Sequence, residues 1–512
     1  MLEIAFRPAR ASDVAVHRQL AAHLGALVET GRLPAGTKLP ATRELARALG
    51  IARNTVTQAY DQLVEQGRFR AHVGQGTFVA SAAARPGRGA PGARAFAWSG
   101  LLSRRVRGLR LHGVRRDDLT TDFPFDFRGG QVDTGSLPAK DLRWALAHAS
   151  SPSVLRRLAA HRDPAGWPPL RGEIARWLVA RGIACEPDDV VVVTGAQQAI
   201  DLVARVLVDP GDTVAIEQPG YFGAALALGA AEADLVAIGV DGEGLRTDEL
   251  ARLLAVRATK LVYVTPATQC PTGVTLSEAR RRELLALADR HQTPILEDDY
   301  DCELRYAGPS LPALKSADTA GQVIYAGTFS KILFPSIRVG YLIAPPPLRG
   351  RLLLARAAAD MGTGVLEQAA LATLLRNRGL ERHVRRVRRV YSARLVAMLA
   401  ALARFMPEGT RWSEPRSGHL VWVTLPRGAD GARVAEAARV RGIAYGPGEQ
   451  FFADGRGDGC LSLSFTNLSP ERIVEGVEGL AAAVRATLGT LPVARPVRTR
   501  IRAAAVAGRG SR

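Results

Sequence analysis

Cysteine is scarce in this chain: four in 512 residues, Cys185, Cys270, Cys302 and Cys460, far apart and with no CxxC pair. That spacing excludes a disulfide scaffold and a cysteine-built metal site, and it is what a reduced protein with incidental thiols shows. Long apolar runs are missing too. No stretch reaches the roughly 18 residues that a membrane span needs. The first residues hold no charged-then-apolar leader, so no secretory signal is expected and a cytoplasmic protein without a membrane partner is. Acid is short relative to base, 49 Asp and Glu against 68 Lys and Arg, for a net charge of +19. Apolar residues at 47% and charged residues at 23% are ordinary for a globular protein. The length asks for roughly two to four domains.

The base is unevenly placed. Residues 1–80 hold ten Lys and Arg against six acids, and residues 81–121 hold nine Arg against two. Residues 491–512 hold six Arg and no acid, which leaves 122–490 near neutrality at about +2. A neutral core with basic appendages fits a polyanionic partner held by those appendages. An arginine-rich coding bias with solvated side chains is the plainer reading of the tail.

Texture along the chain divides it accordingly. Residues 14–31 carry Leu20, Leu24, Leu27 and Val28 at helical spacing, ending at Gly31. Short helices at 43–49 and 54–66 flank a tight turn at Gly50, which is helix-turn-helix geometry. Gly74-Gln75-Gly76-Thr77-Phe78-Val79 reads as a glycine-tipped hairpin, a wing. Residues 81–121, rich in Ala, Gly, Arg and Pro, read as a flexible, basic linker. From 122 onward apolar strand runs alternate with helices: 190–194, 213–217, 235–240, 260–265, 294–299, 322–326 and 339–344. Near-continuous Val, Ile and Leu strands predict a large, mostly parallel sheet covered on both faces, an α/β architecture. After about 365 come long helices, strands at 420–425 and 460–465 and a last helix near 470–488, a smaller α+β lobe. Residues 491–512 read as a basic disordered tail.

The chemistry gathers at predicted strand ends. Thr328-Phe329-Ser330-Lys331 closes one strand, and Arg338 opens the next. A lysine amine can attack an aldehyde, and hydroxyls with a guanidinium beside it suit a phosphate on that aldehyde. Together they point to a Schiff base with pyridoxal 5'-phosphate. Thr194-Gly195-Ala196-Gln197 opens a helix after a strand, where free amides and the helix dipole seat phosphate. Glu297-Asp298-Asp299-Tyr300 brings acids and a phenol to a cleft; a carboxylate on a pyridine nitrogen keeps such a ring an electron sink. Tyr221, just past another strand, can stack on a planar ring. The turn at Gln269-Cys270-Pro271-Thr272-Gly273 faces the same sheet edge.

In that order the motifs TGAQQA, EQPGYFG, PTG, EDDYD, TFSK with Arg338, and Gly446-Pro447-Gly448 resemble the fold type I aminotransferases. LPATRELARALGIARNTV and GQGTF resemble the winged-helix module of the GntR regulators. The combination is similar to the MocR subgroup, in which an aminotransferase-like domain senses pyridoxal phosphate and ligands that react with it. The resemblance implies a winged helix-turn-helix over 1–80, a linker over 81–121, a cofactor domain over 122–490 and a tail over 491–512. It makes Lys331 the covalent cofactor ligand, Asp298 the partner of the pyridine nitrogen, Tyr300 a contact of the ring hydroxyl and Tyr221 a flank of the ring. Thr328, Ser330, Arg338, Gly195, Ala196 and Gln197 would hold the phosphate. Arg43, Arg53, Asn54, Thr55 and Thr57 would meet double-stranded DNA. Of these Arg53 is the base reader, since a guanidinium can bond guanine twice, while the wing glycines Gly74 and Gly76 lie along phosphates. Arg47 is expected on the helix surface only.

Four positions depart from the pattern. Cys270 stands where catalytic relatives carry Asn, Thr268 where they often carry His, and His161 where Tyr is common. Ser462 stands where the family has the arginine that clamps an α-carboxylate; losing that contact costs roughly 2–4 kcal/mol. A homodimeric regulator that senses the cofactor or a reactive amine is therefore expected, with lobe closure coupled to DNA by about 1–3 kcal/mol and paired half-sites. The alternatives are a working aminotransferase with an accessory DNA-binding domain, and a DNA-binding protein with an inert scaffold. The arginines of 382–394 read as a solvated helix face, because Val384, Val387, Tyr391 and Leu395 share the opposite one.

Overall fold

The computed structural model describes residues 6, 8 and 15–488, except 30–31, 73–75, 81–97, 111, 115–120, 180 and 309–310. Gly74, the first part of the expected linker and the basic tail therefore lie outside the described residues. The chain divides into two compact units, one ending at Leu102 and the other beginning at Ser103.

In the first unit, helices α1 (Val16–Glu29), α2 (Thr42–Leu49) and α3 (Arg53–Glu65) precede a hairpin of β1 (Phe69–His72) and β2 (Gly76–Val79). Leu20, Leu24, Leu45, Val56, Leu63 and Phe69 meet in one small core. Gly50 turns the chain between α2 and α3 with φ at 62°, and its N–H caps the Ala46 and Arg47 carbonyls. That left-handed position favours glycine because a Cβ would crowd the following carbonyl. The Tyr60 hydroxyl donates to the Pro40 carbonyl at 3.0 Å, tying α3 to the loop before α2. The hairpin registers Phe69 with Val79 and His72 with Gly76, and Lys38 bridges to Phe78 on its outer edge.

The second unit holds two sheets. β3 (Phe125–Phe127) belongs to the smaller one. The larger takes β4 (Val190–Val193), β5 (Thr213–Gln218), β6 (Asp234–Asp241), β7 (Gly244–Leu245), β8 (Leu261–Val264), β9 (Ile295–Asp299), β10 (Val323–Thr328) and β11 (Gly340–Ile343). Their spatial order is β4-β11-β10-β9-β8-β5-β6-β7. The central pairs are parallel, while β11 runs antiparallel to both neighbours and β7 to β6. β4 shows why such strands read as unbroken apolar runs: Val190 and Val192 enter one core, Val191 and Val193 another on the opposite face.

The smaller sheet takes β12 (Arg411–Trp412), β13 (Leu420–Thr424), β14 (Ile443–Pro447) and β15 (Cys460–Ser464), in the order β12-β13-β15-β14-β3. The helix Gly379–Phe405 buries Val384, Val387, Tyr391 and Leu395 as its spacing predicts. Its arginines are less idle than expected: Arg386, Arg388 and Arg394 donate to the carbonyls of Ser136, Glu303 and Thr466. Part of the second half of the expected linker is also structured. Trp98–Leu101 and Arg104–Gly108 are helical. A Cβ on Gly229 would lie 3.6 Å from Leu109, and one on Gly455 would lie 2.5 Å from the His112 ring, so both side chains pack closely on the larger domain. Among the described residues no helix is long and apolar enough to cross a membrane.

Candidate functional site

Strand register builds the site. Ala326 pairs with Asp298 and Gly327 with Asp299 across β10 and β9. Thr328 pairs with Gly340, and Gly340 with Val193. The carboxyl ends of β4, β9 and β10 thus share an edge with the start of antiparallel β11. Residues from distant parts of the chain collect at that edge, where ligands of open α/β sheets sit. Gly195 follows β4 with φ at 87°, and a Cβ there would lie 3.1 Å from the Arg338 guanidinium. Glycine is what lets the strand turn into the helix Ala196–Leu207 beside that side chain.

One cavity of about 570 Å³ at this edge is lined by Lys331, Asp298, Tyr300 and Tyr221. Ala196, Gln197, Thr328, Ser330 and Arg338 line it too. The Thr328 hydroxyl donates to Ser330 Oγ at 3.1 Å and accepts from the Ser330 N–H at 3.2 Å, which fixes both hydroxyls at the strand end. Arg338 donates to the Thr194 carbonyl at 2.5 Å. The Tyr221 hydroxyl donates to Gln197 Oε1 at 3.1 Å, and Gln197 Nε2 donates to the Gly223 carbonyl at 2.7 Å.

The acids of β9 separate by face. Glu297 accepts from the Leu314 and Lys315 amides at 2.8 and 2.7 Å. Asp299 is paired with Arg181 at 2.7 Å and accepts from the Tyr325 hydroxyl at 2.6 Å. Both lie on the face opposite Asp298, so only Asp298 and Tyr300 of this motif reach the cavity, as the two-residue period of a strand requires. Asp298 accepts from the Tyr263 hydroxyl at 2.7 Å through Oδ2, while its buried Oδ1 has no partner. Burial pushes its carboxyl up to about 7, against the Tyr263 hydrogen bond and Lys331, which pull it down. Burial also raises the Tyr300 phenol, with Cys270, Asp301 and Asp298 nearby adding to the effect.

The departing positions fall differently. Cys270 is buried at the cavity wall, its thiol pushed up to about 12 by burial. Thr268 exchanges a 2.7 Å hydrogen bond with Ser417. His161 packs edge-on against Trp167 at 5.4 Å. Ser462 is buried behind Gly446, where a Cβ would come within 2.2 Å of its Oγ, and that oxygen has no hydrogen-bond partner. The cavity residues not expected from sequence include Arg128, His419 and Gly113. Arg128 donates to Asp126 through Nε at 2.8 Å and its terminal nitrogen at 2.6 Å. His419 meets Asp301, and Gly113 comes from the segment read as linker. Asp301 stands inside the EDDYD motif, which was the available signal; Arg128 and His419 carried none.

On the first unit, Arg53 and Asn54 are exposed in the opening turn of α3, and Arg43 is exposed on α2. Thr55 and Thr57 are half-buried, and the Thr57 hydroxyl donates to the Arg53 carbonyl at 3.1 Å. Arg53 Nε and Thr42 Oγ1 stand 3.5 Å apart. Gly76 begins β2 with φ at 110°.

Pyridoxal phosphate fits the larger site. A buried carboxylate oxygen lacking a partner is the counterpart a pyridinium N–H needs, and a helix N-terminus beside Thr328, Ser330 and Arg338 is a phosphate cradle. Among the described residues no group of three metal-ligating side chains occurs.

Comparison with known proteins agrees. Residues 17–79 match the family of bacterial regulatory proteins of the gntR type, and residues 136–480 match aminotransferase class I and II. The chain is 34% identical over 498 residues to the probable rhizopine catabolism regulatory protein MocR of Rhizobium meliloti, covering 95% of this chain and 97% of that one. It is 35% identical to the HTH-type transcriptional regulator TauR of Rhodobacter capsulatus, covering 89% and 94%. Among solved structures, the Pyrococcus horikoshii kynurenine aminotransferase superposes with a TM-score of 0.72 at 34% identity, covering 77% of this chain and 99% of that one. The chain therefore belongs to the MocR type of GntR-family transcription regulators, DNA-binding proteins that join a winged-helix head to a pyridoxal-phosphate-dependent class I/II aminotransferase domain.

Proposed function

We propose that this regulator senses pyridoxal phosphate, or an amine that reacts with it, through the cavity at Lys331, and that occupancy of the cavity alters DNA binding by the head. In this reading Lys331 is the covalent ligand, Asp298 Oδ1 accepts from the pyridinium nitrogen and Tyr300 donates to the ring hydroxyl. Tyr221 flanks the ring. The amides that follow Gly195, at Ala196 and Gln197, join Thr328, Ser330 and Arg338 on the phosphate. When bound, the cofactor supplies an electrophilic carbon and an electron-accepting ring. Arg53 reads a base, while Arg43, Asn54, Thr55, Thr57 and the wing glycines Gly74 and Gly76 position the head on the duplex. A homodimer presents two heads to paired half-sites.

The observation that carries the sensing role over catalysis is Ser462. Lys331, Asp298, Tyr300, Tyr221, Thr328, Ser330 and Arg338 line one cavity, yet the position that clamps a substrate carboxylate in the resembling enzymes holds a buried hydroxyl behind Gly446. A working aminotransferase is the competing reading, favoured by 38% identity over 326 residues to the aromatic-amino-acid aminotransferase 1 of Thermococcus litoralis. Two measurements on the full chain separate them. Operator binding by wild type and Lys331→Ala, with and without pyridoxal phosphate, should respond to the cofactor only in wild type; equal responses remove Lys331 from the switch. Repeated turnover of an amino donor with a keto acid would instead favour the enzyme.

A further inference from the structure

A second cavity, of about 380 Å³, lies beside the one at Lys331. Three stretches of the second unit wall it: the segment that holds Arg105, Leu109 and His112, the helix Phe222–Ala230, and the turn after Gly448–Phe451. Phe222 and Gln450 line both cavities. His112 borders this one and Gly113, the next residue, borders the other. The Phe222 ring lies 5.2 Å from that of Tyr221, which lines the cavity at Lys331. The two spaces thus share a wall but not their chemistry, since Lys331, Asp298 and Ser330 border only the first. The volume falls in the range of small-molecule sites, about 300–1,000 Å³.

The lining of the second cavity divides by character. Leu109, Leu226 and the half-buried Phe222 and Phe452 rings supply apolar surface, and aromatic rings favour a flat occupant through offset or edge-on contact. Two cations, Arg105 and Arg110, stand against one acid, Glu232, which lies 3.9 Å from Arg105 Nε. Arg110 is exposed and braced by its own chain, with Nη1 donating to the Arg107 and Leu109 carbonyls at 2.7 and 2.9 Å. Among the described residues it forms no ion pair, and its Nη2 makes no hydrogen bond. A guanidinium held by one nitrogen keeps the other for an anion. We propose that this cavity is a second ligand site, for an aromatic carboxylate whose ring lies among Phe222, Leu226 and Phe452 and whose acidic group meets Arg110. Its ligand needs no amine, so the site goes beyond the sensing role at Lys331 and does not rest on it.

The test titrates cinnamate and its neutral counterpart, cinnamyl alcohol, into the full chain loaded with pyridoxal phosphate, with each Kd read by calorimetry. Neither probe carries an amine, so neither forms an imine with the cofactor. Wild type should prefer cinnamate by about 5- to 30-fold, the worth of a charge-assisted hydrogen bond at a partly solvated mouth. Arg110→Gln, at an exposed position, should lose that preference and still bind the alcohol. Leu226→Trp should fill the cavity and weaken both probes by at least about tenfold. Its bound cofactor's visible absorption should match wild type; where the larger residue disturbs the fold, Arg110→Gln decides alone. The site is overturned if wild type binds neither probe or shows no preference, or if the preference survives Arg110→Gln. Cinnamate binding that a folded Leu226→Trp leaves unchanged overturns it too, as does cinnamate that drives the cofactor off. None of these outcomes bears on the sensing role, which is read by cofactor uptake and by Lys331→Ala.

Discussion

Replacing Asp298 by Asn separates the two things that carboxylate does. With the cofactor bound, Oδ1 would accept a charge-assisted hydrogen bond from the pyridinium nitrogen, a contact worth about 1.5–3 kcal/mol. Asp298→Asn should therefore weaken pyridoxal phosphate binding by about 10- to 150-fold. Without the cofactor the same group is a liability, since burial pushes the carboxyl up to about 7. Its folded value stands above its unfolded one. The folded state thus holds the extra proton between about pH 4 and 7, and the stability linked to it is full at low pH and lost as pH rises through 7. A displacement of that size is worth on the order of 4 kcal/mol. Glu217 and Glu297, each pushed up to about 7 by burial, add slopes of the same sign but remain in the variant. Melting cofactor-free wild type and Asp298→Asn at pH 5.5 and pH 8 isolates Asp298 by difference. The variant should gain on wild type as pH rises, even if its unpaired amide lowers both values. An unchanged cofactor Kd would refute the assignment of Oδ1 as the pyridinium partner, and a difference independent of pH would refute the raised Asp298 carboxyl.

Further outcomes follow from particular contacts. Lys331→Ala should bind pyridoxal phosphate only reversibly, so that gel filtration strips the cofactor that wild type retains. Arg53→Ala should leave the melting temperature unchanged, since the side chain is exposed, and should cost about 1–3 kcal/mol on the operator but little on scrambled duplex in a gel-shift titration. A Cβ at Gly340 would lie 2.8 Å from both Gly195 Cα and the Gly327 carbonyl oxygen. Gly340→Ala should accordingly destabilise by about 1–3 kcal/mol in urea and weaken cofactor binding with it. Arg181→Met strands buried Asp299 without its 2.7 Å partner, a loss of about 3–5 kcal/mol that Asp299→Asn in the same chain should partly restore.

What could be read from residues alone was whatever is local. β4, β9 and β10 are short apolar runs ending in polar residues, and Gly50 marks the turn of the head, so these elements lay close to their expected bounds. The third, expected at 322–326, continues to Thr328 because its last residues pair with β11. Pairings between distant segments were not legible. β3 joins β14 in parallel, Phe125 beside Ile443, and neither strand had been expected. The sorting of Glu297 and Asp299 away from Asp298 follows from strand period, yet their partners Leu314 and Arg181 lie in a short 3-10 helix and a turn that carry no such rhythm. His419 and Asp301 meet across lobes for the same reason. Composition misled once: arginine and glycine between 81 and 121 marked a linker, but Leu109 and His112 are anchored by what they touch, which lies far along the chain.

That anchoring gives the cavity a rim built from the segment that opens the second unit. Gly113 and Val114 border the space around Lys331, and the chain runs back from them through Arg104–Gly108 to Leu102, where the other unit ends. An occupant that displaces Gly113 or Val114 would have to shift a segment whose Leu109 and His112 pack close to Gly229 and Gly455. If the sensing proposed above is relayed by this segment, inserting a few glycines after Leu109 should leave ligand and duplex each bound as before and deaf to one another.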